Sequence, residues 1–372
     1  MPDELEPAGF DDADLLVVGS RPQTSRRKIL DAIEQGKPVA FVGNRSFDGL
    51  LATLYKVPRD DVGSELSDGR AADGLEMDYS IGFDYQPHAE SAIAIVIPEN
   101  GSLNTARMRG SEVDQEKVFS YLGAEFSAAD ESASASDSAT SSDVSITSTT
   151  PYCPINLDNS NEWNCLGWNK VDPDSTNHYC PQGPYQRITW GVKLTNGSSA
   201  NDYFGFETRV RITAGQADAV DCSSDQWETT QLDFSQTFND GVVESYGPVT
   251  EPQSYSTTET IGFDISVSGD QIGAGANVQW SKTATSSGVK TDGDIGGAEQ
   301  QVDYQFDIKP SGNVGGGTFT AWLGQRVRMD SGTDSTDFSY DERYKWVDRA
   351  DHWWESDQYH TKKGYGTMYW SV

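Results

Sequence analysis

Several features are scarce or missing in this 372-residue sequence. It has 27 Lys and Arg against 58 Asp and Glu, four Cys, and no apolar run long enough for a transmembrane helix. The deficit of basic residues argues against unassisted nucleic-acid binding, because Lys and Arg must meet a phosphate backbone. The missing apolar run excludes a helical membrane span.

Motifs for catalysis and nucleotide binding are also missing. The sequence has no G-x-S-x-G, no G-x-x-x-x-G-K-[ST] and no G-x-G-x-x-G, and its four His show no metal-binding spacing. We therefore expect a protein that is not an enzyme and binds no cofactor. An extracellular hydrolase remains an alternative, because no catalytic carboxylate pair can be singled out from 58 acidic residues.

The acidic residues are spread along the whole chain. Residues 1–150 have 12 basic and 27 acidic side chains, and residues 151–372 have 15 and 31. Such a surface repels itself at low salt, and this repulsion is screened at high salt. We therefore expect a protein from a salt-adapted organism. The alternative is a polyanionic surface that meets a cationic partner.

All four cysteines lie in one window, at Cys153, Cys165, Cys180 and Cys222. Their spacing does not match the close pairs of zinc sites, so we expect two disulfides, with three pairings open. Disulfides indicate an extracellular location. The start, Met1–Glu6, has neither the basic end nor the apolar centre of a signal peptide, so we expect a leader that this sequence does not include.

A Ser-rich segment, residues 127–150, separates two compositions and is predicted to be a flexible linker. Upstream, residues 1–126 have an α/β pattern. Short apolar runs at 15–18, 38–43 and 92–97 predict strands, Ser25 and Gly36 bound a predicted helix, and a further helix is predicted at 112–122. We expect a compact α/β domain here.

Downstream, residues 151–372 predict an all-β antiparallel sandwich, because apolar and polar residues alternate between Gly, Asn and Asp turns. The predicted strands are Tyr185–Leu194, Tyr203–Ile212, Trp227–Phe238, Thr260–Val267, Ile272–Thr283, Gln300–Ile308, Thr318–Met329 and Gly364–Trp370.

Residues 260–283 predict a hairpin with one apolar and one polar face, turning around Gly269 and Asp270. The apolar face comprises Ile261, Phe263, Ile265, Val267, Ile272, Ala274, Ala276, Val278 and Trp280. The other face is small and polar, with Asp264, Ser266, Asn277 and Gln279.

Two arms of nine or ten residues match the length of transmembrane β-strands, which have one lipid-facing and one water-facing side. A single hairpin would leave unsatisfied edges in lipid, so several chains would have to close one barrel. The apolar face would then meet lipid and the polar face would line the lumen. An ordinary hairpin with one buried and one wet face is the alternative.

Several stretches resemble the leukocidin/haemolysin superfamily of β-barrel pore-forming toxins, in particular the Vibrio-type cytolysins with an N-terminal pro-domain. RRKILDAIEQGKPVAFVG and AIAIVIPENG resemble the pro-domain. CPINLDNSNEWNCLGWNKVDPDSTNHYC resembles a disulfide-closed segment and precedes QRITWGVKL. TETIGFDISVSGDQIGAGANVQWSKTA is similar to the glycine-rich stem, and GYGTMYWSV to the last cap strand.

The resemblance implies a secreted protomer that binds target membrane lipid or a surface glycan. Protomers would assemble into a homo-oligomeric ring and insert one stem hairpin each, after a protease cuts the linker. The membrane-inserted oligomer would form only after this activation. A structural or adhesive surface protein that polymerises through the same sandwich is the alternative.

Aromatic residues crowd the end of the chain and are expected to fill the sandwich core. They are Tyr340, Tyr344, Trp346, Trp353, Trp354, Tyr359, Tyr365, Tyr369 and Trp370. Because Trp353 and Trp354 are adjacent, one of them is expected to point outward as a membrane or glycan contact.

Two runs of oxygen-bearing residues would suit Ca²⁺, at Asp172, Asp174 and Asn177, and at Asp330, Asp334 and Asp337. Neither is an EF-hand loop, so Ca²⁺ is only an alternative to the expected absence of a cofactor.

Overall fold

The structure is a computed structural model. It describes residues 13, 15–19, 25–43, 46–62, 75–85, 91–99, 101–109, 163–172, 185–194, 201–215, 227–248, 259–267, 278–286, 289–296, 299–309, 315–349 and 356–371. The predicted helix at 112–122 and the linker at 127–150 lie outside these residues.

The described part of the chain is mostly β. Its helices are α1 (Arg26–Glu34), α2 (Ser46–Leu54) and a 3₁₀ turn (Arg59–Asp61), and none could cross a membrane. The strands are β1 (Leu16–Val18), β2 (Val39–Val42), β3 (Ser80–Tyr85), β4 (Ser91–Glu99), β5 (Ser102–Arg109), β6 (Trp163–Asp172), β7 (Tyr185–Leu194), β8 (Asn201–Thr213), β9 (Trp227–Phe238), β10 (Val242–Gly247), β11 (Glu259–Val267), β12 (Val278–Ser286), β13 (Val289–Gly296), β14 (Gln301–Ile308), β15 (Thr318–Asp330), β16 (Ser335–Asp348) and β17 (Gln358–Ser371).

Fifteen of these strands form one large sheet. Its main path runs β10-β15-β8-β7-β6-β5-β3-β17-β16-β9-β14-β13, and β4, β2 and β1 join through β5. Buried side chains from β6, β7, β8 and β15 share one core with those from β9, β14, β16 and β17. This architecture is consistent with the predicted sandwich.

Local signals place the first helix as predicted. The Ser25 hydroxyl accepts a hydrogen bond from the Lys28 backbone N–H at the start of α1, and Gly36 follows the helix with φ +75°. Ile29 and Ile33 are buried on one face of α1 and pack against the N-terminal strands. The second helix, α2, was not predicted from the sequence.

Strands from both sides of the predicted linker share the large sheet. β3 pairs antiparallel with β17 and parallel with β5, and β5 pairs parallel with β6. A Cβ atom on Gly82 in β3 or on Gly191 in β7 would overlap the Trp370 indole, so glycine is required where the two parts meet. The division into domains 1–126 and 151–372 stays a prediction, but the N-terminal strands are part of the same sheet.

Cleavage within residues 127–150 should therefore leave the two pieces associated. Withdrawing β3 would break hydrogen bonds on both of its sides and expose Ile81 and Phe83, which are buried. After limited proteolysis, both pieces should elute together in size-exclusion chromatography and separate only in denaturant. An N-terminal piece that elutes alone under native conditions would contradict this expectation.

Candidate functional site

The hairpin predicted from the sequence is a separate element of the structure. Among the described strands, β11 and β12 pair only with each other, in antiparallel register. Cα atoms of β11 lie within 8 Å of those of β10 and β15, and β12 also lies beside β15. The hairpin therefore rests against one end of the large sheet without belonging to it.

The register of β11 and β12 differs from the one that the predicted turn implies. A turn at Gly269 and Asp270 would place Ile272 opposite Val267, but Val267 is opposite Val278.

The observed register keeps residues of the same character opposite one another. Ile265 is opposite Trp280, whereas Asp264 is opposite Ser281 and Ser266 is opposite Gln279. The register also places Lys282 opposite Phe263, in the apolar row and two positions beyond Trp280. Alternation alone places Lys282 in this row, but the apolar face predicted from the sequence ends at Trp280. The lipid-facing and lumen-facing roles stay predictions, and Ile272, Ala274, Ala276 and Asn277 lie outside the described residues.

A buried charge cluster joins the N-terminal strand β3 to the large sheet. Arg187 on β7 forms ion pairs of 2.7 Å with Asp84 on β3 and with Glu342 on β16. The hydroxyl of Tyr340 donates to Asp84 at 2.9 Å, that of Tyr344 donates to Glu342 at 3.1 Å, and the Arg187 guanidinium lies 3.8 Å from the Tyr340 ring centroid. All five side chains are buried.

This arrangement pairs the positive charge of Arg187, whose burial without partners would be unfavourable. Burial acts to lower the pKa of Arg187, but Glu342, Tyr340, Asp84 and Tyr344 raise it well above its usual value. Burial and the Glu342 carboxylate together raise the pKa of the Tyr344 hydroxyl. The cluster therefore links three strands, β3, β7 and β16, through paired charges.

Replacing Arg187 by Met should destabilise the fold strongly, since Asp84 and Glu342 would remain buried without their cation. We expect a loss of about 3–5 kcal/mol in the free energy of unfolding, measured by chemical denaturation with Trp fluorescence. As a control, Arg26→Met removes the ion pair between Arg26, whose side chain is 41% exposed, and Glu76. This variant should lower the free energy of unfolding by less than about 1 kcal/mol. Similar losses in both variants would contradict a special role for the cluster.

An acidic groove runs over strands β9, β13, β14 and β16. Its lining residues are Asp233, Phe234, Ser235, Asp292, Asp294, Asp303, Tyr304, Gln305, Asp341 and Arg343. Burial raises the pKa of Asp233, while the nearby Lys345 and the Gln231 amide act to lower it. No group of three His, Cys, Asp or Glu side chains in the described ranges is placed to hold a metal ion.

The second predicted Ca²⁺ run is divided among different partners. Asp334 pairs with Lys193 at 3.1 Å, whereas Asp337 on β16 accepts a hydrogen bond from the Asn239 amide. Asp330 ends β15 and is exposed. The three carboxylates therefore do not form a shared site. In the other run, Asp174 and Asn177 lie outside the described residues.

The aromatic residues near the end of the chain do not behave alike. Tyr340, Tyr344, Trp346 and Trp370 are buried in the core, as predicted. Tyr359 and Tyr365 are 69% and 63% exposed, so the prediction is wrong for these two. Trp353 and Trp354 lie outside the described residues.

Cys165 lies on β6 and is disulfide-bonded. Cys153, Cys180 and Cys222 lie outside the described residues, so the predicted pairing stays a prediction.

Comparison with solved structures finds similarities of low degree. The chain aligns with Clostridium perfringens delta-toxin at 10% identity and a TM-score of 0.35, covering 53% of this chain and 86% of the toxin. It aligns with a structure described as a pore forming protein at 7% identity and a TM-score of 0.36, covering 55% and 90%. It aligns with the Clostridium perfringens NetB toxin in its membrane-inserted form at 8% identity and a TM-score of 0.28, covering 54% of this chain and 93% of the toxin. Similarities at this level do not establish a shared function.

No protein-family model and no curated protein matches the sequence.

Proposed function

We propose that this chain is a secreted pore-forming protein that contributes the hairpin of β11 and β12 to a barrel shared by several copies. One observation carries the proposal: the hairpin with alternating apolar and small polar residues is hydrogen-bonded to itself and to no other described strand. Leaving its resting place would therefore break no ladder of the large sheet within the described part of the chain.

The register supports an arm length that suits a membrane. If it is continued from Val267 and Val278, residues 272 and 273 form the turn, and the arms 263–271 and 274–282 have nine residues each. Nine strand residues extend ~30 Å. At the ~45° tilt of barrel strands this spans ~21 Å, against an apolar band of ~25 Å.

The residues at the open end of this span are typical of a membrane boundary. Trp280 and Lys282 occupy neighbouring positions of the apolar row, at the end away from the turn. Trp favours the interface between lipid and water, and a Lys there can extend its ammonium group toward water. We therefore place the boundary of the inserted barrel at these two residues.

Activation, partners and habitat belong to the same proposal. The Ser-rich residues 127–150 would be cut by a protease, the target would be membrane lipid or a surface glycan, and the acidic composition would serve a salt-rich habitat. Because β3 and β5 are paired into the large sheet, activation would loosen the linker without removing these strands.

The face assignment is tested by two substitutions at neighbouring positions. Val267→Asp places a carboxylate on the proposed lipid face, at a cost on the order of 1–2 kcal/mol for each inserted copy, so dye release from liposomes should fall at least about tenfold. Ser266→Asp introduces the same charge on the proposed lumen face and should leave dye release within about threefold of the unsubstituted chain.

Both variants should be measured in molar salt, before and after limited proteolysis, together with their thermal unfolding. Equal loss of dye release in the two variants, or strong destabilisation of the monomer by Val267→Asp alone, would favour an ordinary hairpin. Ordered filaments without leakage from the unsubstituted chain would favour the adhesive surface protein.

A further inference from the structure

Along much of its length, β17 pairs with a described strand on one side only. β16 pairs with β17 along the full strand, but β3 covers only Thr367–Ser371 on the other side. Among the described strands, the outer edge of Gln358–Gly366 therefore has no partner. Tyr359 and Tyr365 on this stretch of β17 are exposed.

This open edge carries the only pair of adjacent lysines in a chain with twelve lysines in all, Lys362 and Lys363. Lys363 lies on the outward face with Tyr365, because a Cβ at the intervening Gly364 would point at the buried Glu342. Lys363 forms no ion pair with the described residues. In a protein of net charge −31, this edge is locally basic.

The other end of the same layer is acidic. β13 pairs only with β14 among the described strands, and its Asp292 and Asp294 are exposed. The ladders between β13 and β17 place one row of residues across the outward face, from acidic to basic: Asp292, Gln305, Asp233, Arg343 and Lys363. The outward face therefore has opposite charges at its two open edges.

We propose that β17 of one copy docks against β13 of the next copy, through the edge Gln358–Gly366 and the edge Val289–Gly296. The two segments have nine and eight residues, so they are matched in length. Backbone hydrogen bonds would extend the sheet across the contact, and Lys363 would meet Asp292 and Asp294.

The charges select this pairing over its alternatives. Two β17 edges would oppose lysines, and two β13 edges would oppose aspartates, and like charges directly opposite one another destabilise a strand pair. The contact is therefore head-to-tail, which closes into a ring when the rotation between copies permits. This inference names the surface by which the copies of the proposed function would meet, but it does not depend on hairpin insertion.

Zero-length cross-linking tests this contact directly. A mixture of ¹⁵N-labelled and unlabelled chain is treated with a carbodiimide, which joins a carboxylate to an amine only in direct contact. It should yield mixed-isotope peptides linking Lys363 to Asp292 or Asp294. Within one copy, β17 and β13 are four strand spacings apart, or ~19 Å, so this link cannot form internally. The measurement is made in solution, and on liposomes after cleavage of the linker.

Charge reversal and its rescue complete the test. Lys363→Glu should lower the cross-linked and associated fraction about tenfold, and the double variant Lys363→Glu with Asp294→Lys should restore it to within about threefold. Lys309→Glu, which reverses an exposed lysine just after β14, is the matched control and should change little. Absence of the link in every condition, or no rescue by the double variant, would overturn the proposal.

The two proposals fail separately. Val267→Asp should cross-link like the unsubstituted chain if the edge contact is correct, whether or not liposomes leak. Cross-linked rings without leakage would contradict the pore and leave the contact intact. Leakage without this link would contradict the contact and leave the pore intact.

Discussion

The ion pairs of Arg187 with Asp84 and Glu342 hold the two parts of the chain together. A charge on β7 at the centre of the sheet has its partners on β3, from the N-terminal part, and on β16, from the C-terminal part. Because a buried charge without partners is strongly unfavourable, separating β7 from β3 and β16 would be costly. β17 lies between β3 and β16, and β3 pairs with only part of it.

Local signals in the sequence were sufficient to predict many of the helices and strands. A Ser cap and a following Gly bound α1, and strict alternation gives β7 and β9 with the predicted bounds. β16 was missed because Glu342 occupies a core position, where a polar residue breaks the apolar pattern. Only the distant Arg187 explains that residue, and a partner 155 positions away cannot be read from local periodicity.

The candidate hairpin shows which features the alternation of apolar and polar residues can predict. The predicted and observed registers differ by six residues, an even number, so the assignment of residues to the two faces survives the error. The predicted cross-strand partner of each residue is wrong, because a pattern that repeats every two residues cannot distinguish registers that differ by an even number. Lys282 belongs to the row of Trp280 under either register, and only its pairing with Phe263 depends on the observed one.

The acidic surface constrains any assembly of copies. With a net charge of −31, two chains repel each other unless salt screens them, and at molar salt the Debye length falls to ~3 Å. Under such screening only charges in direct contact attract, so long-range steering is lost and recognition depends on which edges touch. The proposed contact between the basic edge of β17 and the acidic edge of β13 would keep its attraction under these conditions. The acidic composition would then also restrict self-assembly to the proposed orientation.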